Sequence, residues 1–224
     1  MLAFGRWDSE IIFITKSGSC GVGDVTNARE PVILIFEYSL LIVVWAGVLV
    51  SVYYSLVTGI SPIPSSRIST NHIMEILPEN LVGDIIELGA GWGTLAFPLA
   101  ALFPGNRVLA YELSPVPWLF MKLRHLAQQS KNLTIIRSDF HKASLKGVGI
   151  VVAYLHSEGL AKIREKMERE LAPGTLVVSN TFEIPGWTYE ACHQLDDSFC
   201  PQVYLYRVPG VGIKRDRGNV IVSK

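Results

Sequence analysis

Charged and apolar positions divide this chain into a long uncharged stretch and a region of alternating periods. From Tyr38 to Val57 no residue is charged, and only Glu37 interrupts the apolar run that begins at Val32. Helical residues rise about 1.5 Å each, so roughly twenty of them reach across a hydrocarbon core of roughly 30 Å. Tyr38 at one end and Tyr53 and Tyr54 near the other suit interfacial positions. A buried core helix would usually carry a polar stripe, and the apolar part of a signal peptide is shorter and has no long tail before it. The pattern predicts one transmembrane helix within 32–58. Residues 1–31 mix charges with a Gly-Ser-Cys-Gly-Val-Gly patch and read as a disordered tail. Residues 59–80 read as a linker, with Pro62, Pro64, Ser65 and Ser66, followed by a helix from about Thr70 to Leu77 capped by Ser69 or Thr70.

From 81 to 210 the pattern alternates between short apolar runs and helical spacing. Strands are expected near 83–88, 107–112, 133–137, 149–154 and 175–180, and helices near 92–103, 115–129 and 157–171. Pro104-Gly105 and Pro173-Gly174 stand where two of the helices should stop. This is the order of an α/β domain with a mostly parallel, doubly wound sheet. After Pro185-Gly186 the pattern changes, and Tyr189 to Leu195 and Gln202 to Val208 read as an antiparallel hairpin. Residues 211–224, with Lys214-Arg-Asp-Arg217, read as a C-terminal tail with room for one edge strand near Asn219 to Val222.

Composition adds exclusions. The formal net charge is zero over 224 residues, so no broad field draws the chain to nucleic acid. Cys20, Cys192 and Cys200 have no metal-ligand spacing and make no disulfide framework, so no metal is expected and a reduced, cytoplasm-facing domain fits.

The candidate chemistry sits in Asp84-Ile-Ile-Glu-Leu-Gly-Ala-Gly-Trp-Gly-Thr-Leu-Ala96. An apolar strand breaks at Gly89, glycines recur at Gly91 and Gly93, and a helical pattern follows. Glycine admits φ > 0 and close approach of backbone to a ligand, and the helix start offers free N–H groups. A dinucleotide fingerprint would place its third glycine at Thr94 instead. Glu87, at the strand end, suits a cationic amino group better than a pyrophosphate. Glu112, at the end of the next strand, can accept two ribose hydroxyls, a role that nicotinamide-binding folds also fill at similar spacing. The two acids together favour S-adenosylmethionine.

Glu87-Leu-Gly-Ala-Gly-Trp-Gly93 resembles the first signature of class I S-adenosylmethionine-dependent methyltransferases, with Glu112 in the place of their ribose-binding acid. The resemblance implies a Rossmann-like fold with an antiparallel C-terminal strand. It implies cofactor-binding roles for Glu87, Gly89, Ala90, Gly91, Gly93 and Glu112, and for Asp139 as acceptor of the adenine amino group. A turn-capping Asp139 is the plainer alternative. The fourth strand ends in Val151-Val-Ala-Tyr-Leu-His156, without the Asn/Asp-Pro-Pro-Tyr of base-amino methylation. Tyr154 and His156 stand there as catalytic candidates, against the plainer reading of His156 as a surface or capping residue.

The apolar span, Pro62-Ile-Pro64-Ser-Ser66 and Leu176-Val-Val-Ser-Asn-Thr-Phe-Glu-Ile-Pro-Gly-Trp187 together resemble a narrower group. These are the membrane-anchored lysine methyltransferases that modify the adenine nucleotide translocase and the ATP synthase c-subunit, with their bacterial relatives. That likeness implies a protein lysine as acceptor, with residues 62–66 and Tyr154 positioning it. Tyr154, Phe182 and Trp187 near the sulfonium would stabilise a charged acceptor through their ring faces, against the plainer reading of Phe182 and Trp187 as core packing. Trp92 departs from the group's acid between the last two loop glycines. Asp8, Glu10, Asp24 and Glu30 give residues 1–31 no mitochondrial targeting character, which favours a bacterial inner membrane with the catalytic domain facing the cytoplasm. The alternatives are a small or membrane-partitioned acceptor, or a non-catalytic membrane protein that binds the cofactor.

Overall fold

The computed structural model describes the backbone of residues 6–7, 10–14, 20–23, 29–58, 64–209 and 220–223, and the side chains of 33–54 and 64–209. Pro62, the Lys214 to Arg217 cluster and much of the expected tail 1–31 lie outside the described residues. Contacts divide the chain into two units, Met1–Leu49 and Val50–Lys224. In the first, β1 (Arg6–Trp7), β2 (Glu10–Ile14) and β3 (Cys20–Gly23) pair antiparallel in that order. The helix α1 (Arg29–Thr58) follows, and its segment Ile33–Tyr54 is long and apolar enough to cross a membrane, with none of that segment buried.

The second unit holds α2 (Arg67–Ile76), one turn earlier than the sequence predicts. Ser66, extended at φ −67° and ψ 164°, is the cap, and its Oγ accepts the Ser69 N–H at 3.0 Å. Ser69 and Thr70, the expected caps, are instead buried within the first turn. All four hydroxyl residues, Ser65, Ser66, Ser69 and Thr70, are good caps by type, so local chemistry alone could not choose among them.

Strands β4 (Asp84–Leu88), β5 (Val108–Glu112), β6 (Leu133–Arg137), β7 (Val148–Ala153) and β8 (Leu176–Asn180) are joined by α3 (Ala96–Leu102), α4 (Pro115–Gln128) and α5 (Ser157–Glu170). Then come β9 (Ala191–Gln194), β10 (Gln202–Arg207) and β11 (Val220–Ser223). The sheet order is β11-β9-β10-β8-β7-β4-β5-β6, parallel from β8 to β6, with β10 antiparallel to both neighbours. The expected hairpin is therefore present, and β11 adds a parallel edge strand beside β9. Helix α3 starts at Ala96, later than the expected 92, because Gly91 and Gly93 hold positive φ and keep the loop out of the helix.

The strands alternate between two buried faces, as the period of two requires. Ile85 and Ile150 pack with Ile73 of α2, Leu99 of α3 and Met121 of α4. Ile86 and Val151 pack with Leu160, Ile163 and Met167 of α5 on the other face. Both faces are apolar because helices cover both, as in parallel sheets generally.

At the end of the sheet away from the glycine loop, the turn before β4 crosses close to β7. A Cβ on Gly149 would stand 2.2 Å from the Val82 carbonyl oxygen and 2.9 Å from Leu81. Backbone on one side and the next strand on the other leave little room to relax. Gly149→Ala should therefore lower stability by about 1–3 kcal/mol, read as a fall in melting temperature of the purified protein. An unchanged melting temperature would show that this close approach is not required.

Candidate active site

Parallel strands point their carboxyl ends the same way, and the chain order reverses at β4, which has β5 on one side and β7 on the other. Crevices for ligands form outside such a switch point. Register places the strand ends side by side: Leu88 pairs with Tyr111 and Ala153, Glu112 with Arg137, and Ala153 with Ser179. The expected residues Glu87, Glu112, Asp139 and Tyr154 thus come from four adjacent strands, at or just beyond their carboxyl ends.

The loop after β4 turns through Gly89, Gly91 and Gly93 at φ of 74°, 53° and 76°. The Ala90 N–H donates to the Tyr111 carbonyl at 2.8 Å, and the Gly93 N–H to the Ala90 carbonyl at 2.8 Å. At Gly93 a Cβ would meet the Phe97 ring at 2.9 Å, whereas at Gly91 it would meet nothing within 4 Å. Gly93 is thus demanded by packing beneath the loop, and Gly91 faces open space where a ligand can approach the backbone.

Two buried carboxyls lie under this loop. Glu112 accepts the Gly91 N–H and the Ser114 N–H, both at 2.7 Å. Burial raises its pKa, against the pull of the Ser114, Gly91 and Leu113 N–H groups. Glu87 sits on the central strand between Ala110 and Val152. Its Oε2 is buried with no hydrogen-bond donor. Burial first, and the Glu112 charge second, push its carboxyl well above the usual carboxylate range, although the Ala96 N–H pulls the other way. A buried acceptor without a donor is costly. A ligand that brings a cation to Glu87 and hydroxyls to Glu112 would relieve both groups. Ser114 Oγ, beside Glu112, is also buried and without a partner, a feature that no pattern in the sequence marks.

Asp139 caps a short 3-10 turn, Phe140–Lys142. Its carboxylate accepts the His141 N–H at 2.9 Å and lies 2.8 Å from His141 Nδ1. Burial opposes ionisation, but the His141 contacts and the Lys142 charge outweigh it and lower the pKa. The capping alternative therefore describes its present bonding. Trp92, in place of an acid, meets Phe120 edge-on at 5.4 Å.

Beyond β7 and β8 the site becomes aromatic. Tyr154 is buried and stacks with Phe182 at 6.2 Å, and exposed His156 lies 4.7 Å from the same ring. His156 occupies the N-cap of α5 without a side-chain cap bond. Trp187 instead packs against Tyr206 at 5.9 Å and donates from Nε1 to Glu168 at 2.6 Å, joining the core on the α5 face.

A buried polar network behind Tyr154 was not legible in the sequence. Asn180 donates to Ser65 Oγ at 3.1 Å and accepts from Ser69 Oγ at 2.8 Å. It also donates to Cys200 Sγ at 3.7 Å, and that thiol donates to the Tyr154 hydroxyl at 3.7 Å. Ser66 Oγ donates to Asp197, which also accepts the Phe199 and Cys200 N–H groups. Thr181, next to Asn180, holds a left-handed φ of 69°, an unusual conformation for a β-branched residue. Residues 65–69, the end of β8 and the loop before β10 are in this way tied around one tyrosine. Among the described residues no group of three or more His, Cys, Asp or Glu side chains is placed to hold a metal ion.

Residues 87–191 match the ANTKMT methyltransferase domain. A protein-lysine N-methyltransferase of Saccharolobus islandicus is 26% identical over 159 residues, covering 68% of this chain and 96% of that protein. The adenine nucleotide translocase lysine N-methyltransferase of Mus musculus is 34% identical over 109 residues, 47% of this chain and 46% of that protein. The chain thus spans less than half of this mouse relative. The ATP synthase c-subunit lysine N-methyltransferase of Rattus norvegicus is 26% identical over 154 residues, covering 63% of this chain and 69% of that protein. Among solved structures, an RNA methyltransferase from Salinibacter ruber in complex with S-adenosyl-L-homocysteine shares the fold at a TM-score of 0.58 and 22% identity, covering 69% of this chain and 99% of that one.

The raised Glu87 pKa makes stability depend on pH in a stated direction. In the unfolded chain Glu87 gives up its proton near pH 4.5, whereas in the fold it holds the proton to higher pH. The group's contribution is whole below that value and is lost as pH rises through the native one, by up to about 1.4 kcal/mol per pH unit. Without ligand, Glu87→Gln should therefore melt higher than the wild type at pH 7.5, with the gap closing toward pH 4. A variant that melts lower than the wild type at pH 7.5 would contradict this.

Proposed function

We propose that the chain is a class I S-adenosylmethionine-dependent methyltransferase that is anchored in a membrane and methylates a lysine of a protein held there. The observation that carries the acceptor is the similarity to a protein-lysine methyltransferase over nearly the whole of that relative's length. Two further relatives are named as lysine methyltransferases of the adenine nucleotide translocase and of the ATP synthase c-subunit. The apolar helix Ile33–Tyr54 supports the anchor. The catalytic domain faces the cytoplasmic side of a bacterial inner membrane, where its cofactor is made.

The residues present fit the cofactor. The donor-less Oε2 of Glu87 receives the cationic amino group, Glu112 receives the ribose hydroxyls, and Gly89, Ala90, Gly91 and Gly93 let the backbone close on the amino-acid part. Asp139 receives the adenine amino group by exchanging its bond to the His141 ring. Bound S-adenosylmethionine supplies a methyl group activated by a sulfonium, so the chain's own task is positioning.

Tyr154 and Phe182 offer ring faces to an incoming ammonium. The lysine must then shed a proton, because an ammonium has no lone pair, and exposed His156, whose contact with the Phe182 ring supports the role, takes it. The Ser65–Asn180–Cys200 network holds the Tyr154 hydroxyl.

Incubating the full chain, reconstituted in lipid, with methyl-labelled cofactor and membrane proteins tests this reading. Mass spectrometry should find the label on lysine. Tyr154→Phe should lower kcat about five- to tenfold, the worth of roughly one hydrogen bond, with cofactor affinity unchanged. Label recovered only on lipid or a small molecule, by protein that binds the cofactor, would overturn the lysine assignment.

A further inference from the structure

Helix α4 turns an apolar stripe outward. Leu119, Leu123 and Leu126 stand at i, i+4 and i+7, one face of a helix, and are 52%, 59% and 71% exposed. Phe120 extends the patch at 46% exposed. A surface helix ordinarily shows its polar face to water, and here Pro117 and Met121 are buried while the leucines are not.

Charge distinguishes what would cover this stripe. Between Glu112 and Asp139 there is no acid, while Lys122, Arg124, Lys131 and Arg137 lie in that interval, in a chain whose formal net charge is zero. Successive helical residues are about 100° apart, so Lys122 and Arg124 flank Leu123 on opposite sides. Among the described residues none of these four cations is paired with a carboxylate; Lys122 and Arg137 lie over the Trp118 ring and Arg124 over Phe97. An apolar stripe with cations on both flanks and an aromatic at its border is the pattern of a helix lying in an anionic lipid interface, its long cationic stems keeping their heads at the headgroups.

We propose that α4 is a second membrane contact, by which the catalytic domain lies on an anionic lipid surface. This rests on the anchored reading. The eight residues 59–66 between α1 and α2, at no more than about 3.5 Å each, keep the start of α2 within roughly 30 Å of the end of the anchor. Phe120 touches Trp92 of the glycine loop, so docking α4 sets the cofactor loop close to the lipid surface and orients the site toward an acceptor held in it.

The test reads lipid contact at three positions of the full chain reconstituted in nanodiscs. Cys192 and Cys200 are buried, so in a Cys20→Ser background a nitroxide is attached through Val43→Cys in the anchor, Leu126→Cys on α4 or Lys162→Cys at an exposed position of α5. Oxygen, which enriches in lipid, and a water-soluble nickel complex compete to relax each label. In discs containing phosphatidylglycerol the oxygen-to-nickel ratio at Leu126 should exceed that at Lys162 severalfold, and should fall toward it in purely zwitterionic discs. Equal ratios at Leu126 and Lys162, with a lipid-like ratio at Val43, would overturn the α4 contact and leave the anchor standing. A label at Leu126 shielded from both relaxants would also overturn it, showing protein as the cover. A water-like ratio at Val43 would instead remove the anchor, whatever α4 does.

Discussion

Two carboxyl groups buried on neighbouring strands set the terms for the rest of the catalytic domain. Burial opposes ionisation of both Glu87 and Glu112, and the Glu112 charge raises the Glu87 pKa further. Both are buried at 3% exposure, so in the protein itself relief comes from hydrogen-bond donors. For Glu112 these are backbone N–H groups presented by the glycine loop and by the start of α4. For Glu87 the supply is incomplete, a requirement that a cationic ligand would satisfy. An apolar residue at Glu87 would remove that cost and with it the reason to bind.

The same economy governs the acceptor side. Tyr154 is nearly enclosed, and its hydroxyl meets the Cys200 thiol at 3.7 Å and the Phe199 carbonyl at 3.5 Å. Asn180, by contrast, is tied to two serines by ordinary hydrogen bonds, and Thr181 beside it is held in a left-handed conformation. The groups behind the ring are thus fixed by bonds from residues far apart in the chain.

Legibility in the sequence followed the range of the interactions. The glycine loop, its flanking strands and the pair of acids are written within short windows and could be read directly. The antiparallel hairpin was marked by a change of period after Gly186. The true cap of α2 was hidden among equivalent hydroxyls at 65, 66, 69 and 70, and Ser66 is singled out by its bond to Asp197, far along the chain. The Ser65–Asn180 bond spans 115 positions, and it depends on sheet order, which no local pattern encodes. The outward apolar stripe of α4 has the periodicity of a core-facing helix, so only the fold reveals that it faces out.

Calorimetric titration of S-adenosylmethionine into the wild type and Glu87→Gln at pH 7.5 bears most directly on the central claim, that the buried acid awaits a cation. The account predicts affinity weakened about 10- to 100-fold in the variant, as expected for a charge-assisted bond, with the variant's fold intact. Equal affinity in the two proteins would contradict it and would mean that Glu87 only supports the loop.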